Sequence, residues 1–165
     1  MWHKVGSIGA ALVVFGQAAA AQPNTLPAAP TLPSAAGFKA DTAHPASLLT
    51  PRGVRFFFRE RGVGALATAG SRVAVRYSGF LPNGRLFDAT AASGGPLRFR
   101  VGRGEVIPGW DDLLPLLPVG SRVRAWIPAA LAYGAKGVPD PDDDTRFLIP
   151  PDSELIFELH VISVR

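Results

Sequence analysis

From Val54 to the end of the chain, apolar and polar positions alternate with a period of two, broken once by a short stretch of helical spacing. In Arg72-Val73-Ala74-Val75-Arg76-Tyr77 the valines and the tyrosine fall on one face and the arginines on the other, the pattern of a half-buried strand. Leu97, Phe99 and Val101 alternate with Arg98 and Arg100, and Val123, Ala125 and Ile127 with Arg122, Arg124 and Trp126. Both predict strands with one core face and one wet face. The aromatic-rich run Val54 to Arg59 predicts a first strand. Glu154 to Val164 predicts a last one, with Leu155, Phe157, Leu159 and Val161 inward and Glu158 and His160 outward. Asn83-Gly84 supplies positive φ for a tight hairpin turn, so Phe80-Leu81 and Leu86-Phe87 should pair across it.

The break in alternation is Pro108 to about Leu117, where Trp110, Leu113, Leu114 and Leu117 recur at helical spacing. Pro108 suits a first helical turn, where its missing N–H costs nothing, whereas Pro115 removes a hydrogen bond and should kink or shorten the helix. A half-buried sheet needs one face covered, and this is the amphipathic segment available to cover it. The expected fold class is therefore α+β: a curved, roughly five-stranded antiparallel sheet wrapped around one short α-helix.

The remaining length falls before residue 52. Residues 1–21 carry a short head with His3 and Lys4, an apolar run from Val5 to Phe15, and Ala19-Ala20-Ala21 before Gln22, the layout of a signal peptide cleaved after Ala21. The run is shorter than the roughly 20 residues of a spanning helix. Residues 22–51 contain six prolines among Ala, Ser and Thr with little periodicity, the composition of a flexible linker. The domain proper is expected over 52–165. With no cysteine, disulfides, thiolate metal sites and lipoprotein anchoring are excluded. The expected location is periplasmic or secreted, with no stable membrane anchor after cleavage.

Val106-Ile107-Pro108-Gly109-Trp110 sets a large indole at the start of the helix, a suitable floor for a small apolar pocket. Together with Tyr77-Ser78-Gly79, Asn83-Gly84, Phe87-Asp88, Leu131-Ala132-Tyr133-Gly134 and Ile149-Pro150-Pro151, in this order and spacing, the chain resembles the FKBP-type peptidyl-prolyl cis-trans isomerases from about Gly53 onward. The resemblance implies acceleration of X-Pro bond rotation by an apolar pocket without covalent chemistry or cofactor. Its partners would be proline-containing unfolded or extracytoplasmic polypeptides, and its role assistance to the folding of exported proteins. A macrolide-like ligand fits the same pocket. By resemblance the catalytic residues are Tyr77, Phe87, Asp88 and Tyr133, and the substrate-binding residues are Leu97, Phe99, Val106, Ile107, Trp110, Ile149 and Phe157. Tyr133 would offer its hydroxyl, and Ile107 its backbone N–H, to carbonyls flanking the substrate proline. The second reading is a catalytically weak module or chaperone of the same fold that holds proline segments or macrolides.

Four features depart from the family pattern: Pro115 inside the helix, Ser93 where an arginine partner of Asp88 is expected, Leu97 where a wall phenylalanine is common, and an insertion over Asp140–Phe147. The spacing of Asp140, Asp142 and Asp144 suggests a calcium loop. The pattern fails, because Thr145 stands where glycine is required and Pro151 where glutamate is; a solvated acidic loop is expected instead. Fourteen arginines against three lysines, and a net charge of +4, raise nucleic acid as a partner. The arginines sit at outward strand positions and the leader implies export, so a solvated face is the expectation and nucleic acid is not. His3, His44 and His160 form no cluster with metal-ligand spacing.

Overall fold

The computed structural model describes residues 47–91 and 94–165; the leader and the linker up to residue 46, and Ser93, lie outside the described residues. Among these residues nine strands run in chain order: β1 Leu48–Leu49, β2 Arg55–Glu60, β3 Arg72–Phe80, β4 Leu86–Ala89, β5 Leu97–Arg100, β6 Arg122–Ile127, β7 Val138–Asp140, β8 Asp143–Ile149 and β9 Leu155–Val164. Among the described residues one α-helix, α1, spans Pro108–Leu113. The main sheet is ordered β1-β2-β6-β9-β3-β4, with β5 also on β3, and every pairing is antiparallel. β4 pairs the C-terminal half of β3 and β5 its N-terminal half. The two short strands thus share one edge row, and five rows plus the two-residue β1 make the sheet. Register shifts at Phe58/Glu60, Ala74/Val75 and Gly79/Phe80 are bulges, which bend and twist a sheet locally.

Alternation built the inner face as the residues predict: Val73, Val75 and Tyr77 of β3, and Leu155, Phe157, Leu159 and Val161 of β9, are all buried. α1 lies on that face. Its Gly109 comes so close to β6 that a Cβ there would stand 2.5 Å from Ile127 Cγ2, so the absence of a side chain sets the approach. Trp110, Leu113, Leu114 and Leu117 are buried, and the α-helix gives way at Leu114–Leu116 to a single 3-10 turn containing Pro115. Pro115 thus shortens the helix, as a proline without an N–H must.

The outer face differs from expectation on β6. Arg124 and Trp126, placed outward by alternation, are 9% and 6% exposed. The Trp126 ring is covered by the Arg55 guanidinium at 4.7 Å, the Arg124 guanidinium at 5.5 Å and the Phe57 ring at 5.8 Å. Arg59 and Arg124 both reach the Glu158 carboxylate, at 2.8 and 3.6 Å. A stacked arginine–aromatic layer therefore replaces the wet face on this strand.

Two further differences bear on the site. At the β3–β4 turn only Gly84, not Asn83, has positive φ (84°); the Gly84 N–H bonds Leu81 O at 2.9 Å and the Leu81 N–H bonds Arg85 O at 2.9 Å. This is a longer turn with proline second and glycine fourth rather than a two-residue hairpin. And Asp140–Phe147, expected as a solvated loop, folds mostly into the β7–β8 hairpin. At the other end, β1 pairs with β2 inside the stretch read as linker. There the buried Thr50 hydroxyl donates to Asp112 of α1 and accepts the Val54 N–H at 2.9 Å.

Candidate active site

β3 supplies the axis of the site. Tyr77 points inward from it, and two residues on, Gly79 pairs with both Asp88 of β4 and Phe157 of β9. A Cβ on Gly79 would lie 2.5 Å from Phe87 Cζ and 2.9 Å from Phe157 Cε1, so glycine is what lets these two rings meet. They do so edge-on, with centroids 5.6 Å apart. Trp110, carried in by the first turn of α1, lies 4.9 Å from Tyr77, 5.2 Å from Phe157 and 5.8 Å from Phe99 by ring centroids. Edge-to-face pairs at these distances each contribute about 0.5–1.5 kcal/mol beyond area burial. The result is a continuous aromatic base in which Trp110 and Phe157 are 2% and 1% exposed.

Above this base sits a more accessible rim. Asp88, Leu97 and Tyr133 are half-buried. The Tyr77 hydroxyl donates to Asp88 Oδ2 at 2.5 Å. Burial pushes the Asp88 carboxyl above its ordinary range, while the hydrogen bonds from Tyr77 and the Ala89 N–H pull the other way without cancelling it. Burial, then the Asp88 hydrogen bond and charge, hold the Tyr77 phenol neutral well above its ordinary range. Tyr133 is pushed up to about 12 by burial and by the Asp88 charge. Burial thus raises both tyrosines, the only two in the chain, and the Asp88 carboxylate adds to the shift of each.

Glycine geometry also places Tyr133 and Ile149. The Asp152 N–H bonds Gly134 O at 2.9 Å, and a Cβ on Gly137 would meet Ile149 O at 2.4 Å, so the Tyr133-Gly134 turn and the Ile149-Pro150-Pro151 segment are tied together. Ile149 is buried at the end of β8. Val106 and Ile107 are buried just before α1, and Ile107 O accepts the Trp110 N–H at 2.9 Å. Among the described residues, nothing accepts the Ile107 N–H or the Tyr133 hydroxyl. The Trp110 indole N–H is likewise buried without an acceptor there.

Of the eleven residues named from sequence, Tyr77, Phe87, Asp88, Phe99, Trp110 and Phe157 are joined by direct contacts. Tyr133 joins through the field of Asp88, and Leu97 shares a strand face with Phe99. Val106, Ile107 and Ile149 stand at the ends of the elements that frame the cluster. Sequence reasoning missed Arg85, whose guanidinium donates to Phe147 O at 3.2 Å and Leu148 O at 2.5 Å and so clamps the β7–β8 hairpin to the β3–β4 turn. No residue pattern signals that bond, because its acceptors are backbone carbonyls. Gly79 was legible only as part of a motif.

An antiparallel sheet wrapped on one short helix, with an aromatic base and a single tethered carboxylate where they meet, defines an α+β domain built around a small apolar site. The family model described as FKBP-type peptidyl-prolyl cis-trans isomerase matches residues 64–162, and the chain belongs to that family. It is 37% identical over 126 residues to a protein named outer membrane protein MIP from Legionella longbeachae, covering 76% of this chain and 50% of that one. Among solved structures, a peptidyl-prolyl cis-trans isomerase of Pseudomonas syringae pv. tomato superposes with a TM-score of 0.64 at 37% identity, over 79% of this chain and 86% of that one. FkpA from Escherichia coli superposes with a TM-score of 0.64 at 33% identity, over 74% and 53%. The chain spans only half the length of the Legionella protein.

Proposed function

We propose that the domain accelerates cis–trans rotation of X-Pro bonds in polypeptides and acts on proteins outside the cytoplasm. The uncatalysed rotation crosses a barrier of about 18–20 kcal/mol, because amide resonance is lost at the midpoint. The twisted state has shed that resonance and much of its polarity, so an apolar, water-poor surface favours it over the planar amide. The observation that carries this reading is the aromatic base of Tyr77, Phe87, Phe99, Trp110 and Phe157 with one tethered carboxylate at its rim. The reaction transfers no proton, and both tyrosines stay neutral at physiological pH.

In this account the proline ring settles against Trp110 between Phe87, Phe99 and Ile149. The unclaimed Ile107 N–H and Tyr133 hydroxyl bind carbonyls on either side of it. Leu97, Val106 and Phe157 complete the wall. Asp88, held by Tyr77, supplies a fixed negative potential beside the rotating amide rather than a general base. Residues 1–21 act as a cleaved signal peptide and 22–46 as a tether, the reading their composition supports. No helix among the described residues is long and apolar enough to cross a membrane.

The test is protease-coupled isomerisation of an X-Pro peptide series by the mature chain, beside Tyr133→Phe and Trp110→Ala with folding checked by circular dichroism. Acceleration that falls in folded variants supports the proposal. A well-folded protein with no acceleration for any X leaves a proline-binding module.

A further inference from the structure

At the end of the sheet where β3 begins and β9 ends, a cleft of about 510 Å³ is lined by Gly70, Arg72, Arg100, Arg103 and Arg165. Four guanidinium groups line it, and among the described residues none of them has an ion-pair partner. The nearby carboxylates make backbone bonds instead: Glu105 accepts the Arg100 N–H at 2.9 Å, Asp111 accepts the Gly102 and Gly104 N–H groups at 2.8 and 3.3 Å, and the terminal Arg165 accepts the Arg72 N–H at 2.7 Å. Arg72 and Arg100 are directly opposed across β3 and β5, a cross-strand placement of like charges that destabilises a sheet unless something bridges them. A second cleft of about 520 Å³, on the outer face, differs in this respect: Glu158 lies within it and pairs with its Arg59.

The floor of the arginine cleft is fixed. The Gly70 N–H bonds Val101 O at 2.8 Å, the Val101 N–H bonds Ser71 O at 3.0 Å, and Arg72 and Arg165 exchange N–H···O bonds of 2.7 and 2.8 Å. The strand ends that carry the four arginines are therefore locked to one another. Arg103 Nη2 comes within 4.0 Å of where a side chain on Gly70 would begin, which sets that guanidinium over the glycine. Guanidinium forks match tetrahedral oxyanions in bidentate geometry. Each such group takes one or two guanidinium forks, so four forks without an ion-pair partner accommodate a ligand that carries two of them.

We propose that this cleft binds a multiply charged oxyanion, a ligand carrying two or more phosphate or sulfate groups. The site is separate from the aromatic cluster: Arg72 and Tyr77 are five residues apart on β3, about 16 Å of strand, and on β5 the exposed Arg100 faces away from its buried neighbour Phe99. Occupancy should therefore leave prolyl isomerisation unchanged.

The experiment titrates inositol hexakisphosphate into the full chain by calorimetry at about 0.15 M salt, where diffuse surface attraction is screened. The double variant Arg100→Gln/Arg103→Gln should weaken binding by about tenfold or more, the loss of two charge-assisted contacts. Arg146→Gln, an exposed arginine on β8, should change it by less than about twofold. A second arm measures co-sedimentation with phosphatidylglycerol vesicles. Loss that tracks Arg100 and Arg103 in the soluble arm identifies a free polyanion, and loss seen only with vesicles identifies clustered headgroups as its source. All four lining arginines are exposed, and Arg100→Gln removes a like-charge pair with Arg72, so the double variant without ligand should melt at or slightly above the wild-type temperature. Arg103→Glu is a second single test that should abolish binding. No binding in either arm, or an equal loss in Arg146→Gln, overturns the proposal.

Discussion

Tyr77→Phe isolates the hydrogen bond that ties the rim to the base. The phenol donates to Asp88 Oδ2 at 2.5 Å, while Asp88 also accepts the Ala89 N–H. A hydrogen bond to a charged group contributes about 1.5–3 kcal/mol. Asp88 is half-buried and keeps its backbone donor, so we expect a loss of about 1–2 kcal/mol near neutral pH. In a folded unit of this size each kcal/mol lowers the melting temperature by about 3–6 °C. The pH dependence follows from burial, which already raises the Asp88 carboxyl against the pull of Tyr77. Removing the phenol raises it further. A carboxyl with a raised folded-state value holds its proton where the unfolded chain has lost it, so its contribution is fully present at low pH and is lost as pH rises through the folded value. The penalty of Tyr77→Phe is therefore full at pH 7 and small at about pH 3, where an ordinary carboxyl is already largely protonated and one raised by burial is more fully so. Urea unfolding followed by tryptophan fluorescence at the two pH values measures this. An equal loss at both, or none at pH 7, refutes the assignment of Asp88 as a charged acceptor.

Other expectations follow from the same geometry. Gly79→Ala drives a Cβ to 2.5 Å from Phe87, an overpacking that costs about 1–3 kcal/mol and separates Phe87 from Phe157; a variant as stable and active as the parent would contradict the packing described. Arg85→Ala removes both bonds to the β7–β8 hairpin at a global cost below about 1 kcal/mol, and hydrogen exchange over Asp143–Ile149 should speed up; unchanged exchange would show that the clamp does not hold the hairpin. Because the chain's two tyrosines both sit in the site, alkaline titration of tyrosine absorbance reports on it alone. Tyr133 should ionise at about 12 and Tyr77 above its ordinary range. Their raised values mean stability is lost as pH climbs past about 10, by up to about 1.4 kcal/mol per unit for each phenol; both titrating near 10 in the folded protein would refute the burial account.

Where one face of a strand met the core and the other met water, the sequence was legible. β3, β5 and β9 follow their alternation, and Pro115 ends α1 where its missing N–H requires. The outer side of β6 was not legible, because an arginine stacked on an indole looks in sequence like an arginine facing solvent. The β7–β8 hairpin was also hidden, since its strands carry proline and aspartate rather than alternating apolar residues. Turn bonds shape it instead, the Asp142 N–H donating to Asp140 Oδ1 at 3.0 Å and the Thr145 N–H to Asp143 Oδ1 at 2.9 Å, and Arg85 braces it. At the site, aromatic residues at inward positions could be grouped from sequence. The 2.5 Å tether between Tyr77 and Asp88 depends on the β3–β4 register and its bulge, which sequence periodicity does not encode.

Rotation favoured by an apolar surface, without proton transfer, leaves its signature in the solvent deuterium isotope effect on kcat/KM for an X-Pro peptide, measured from pH 6 to 9. The effect should be near unity, with no bell-shaped dependence on pH, because no proton is in flight at the transition state. An isotope effect of about two or more, or a rate that follows one ionising group across that range, would contradict it.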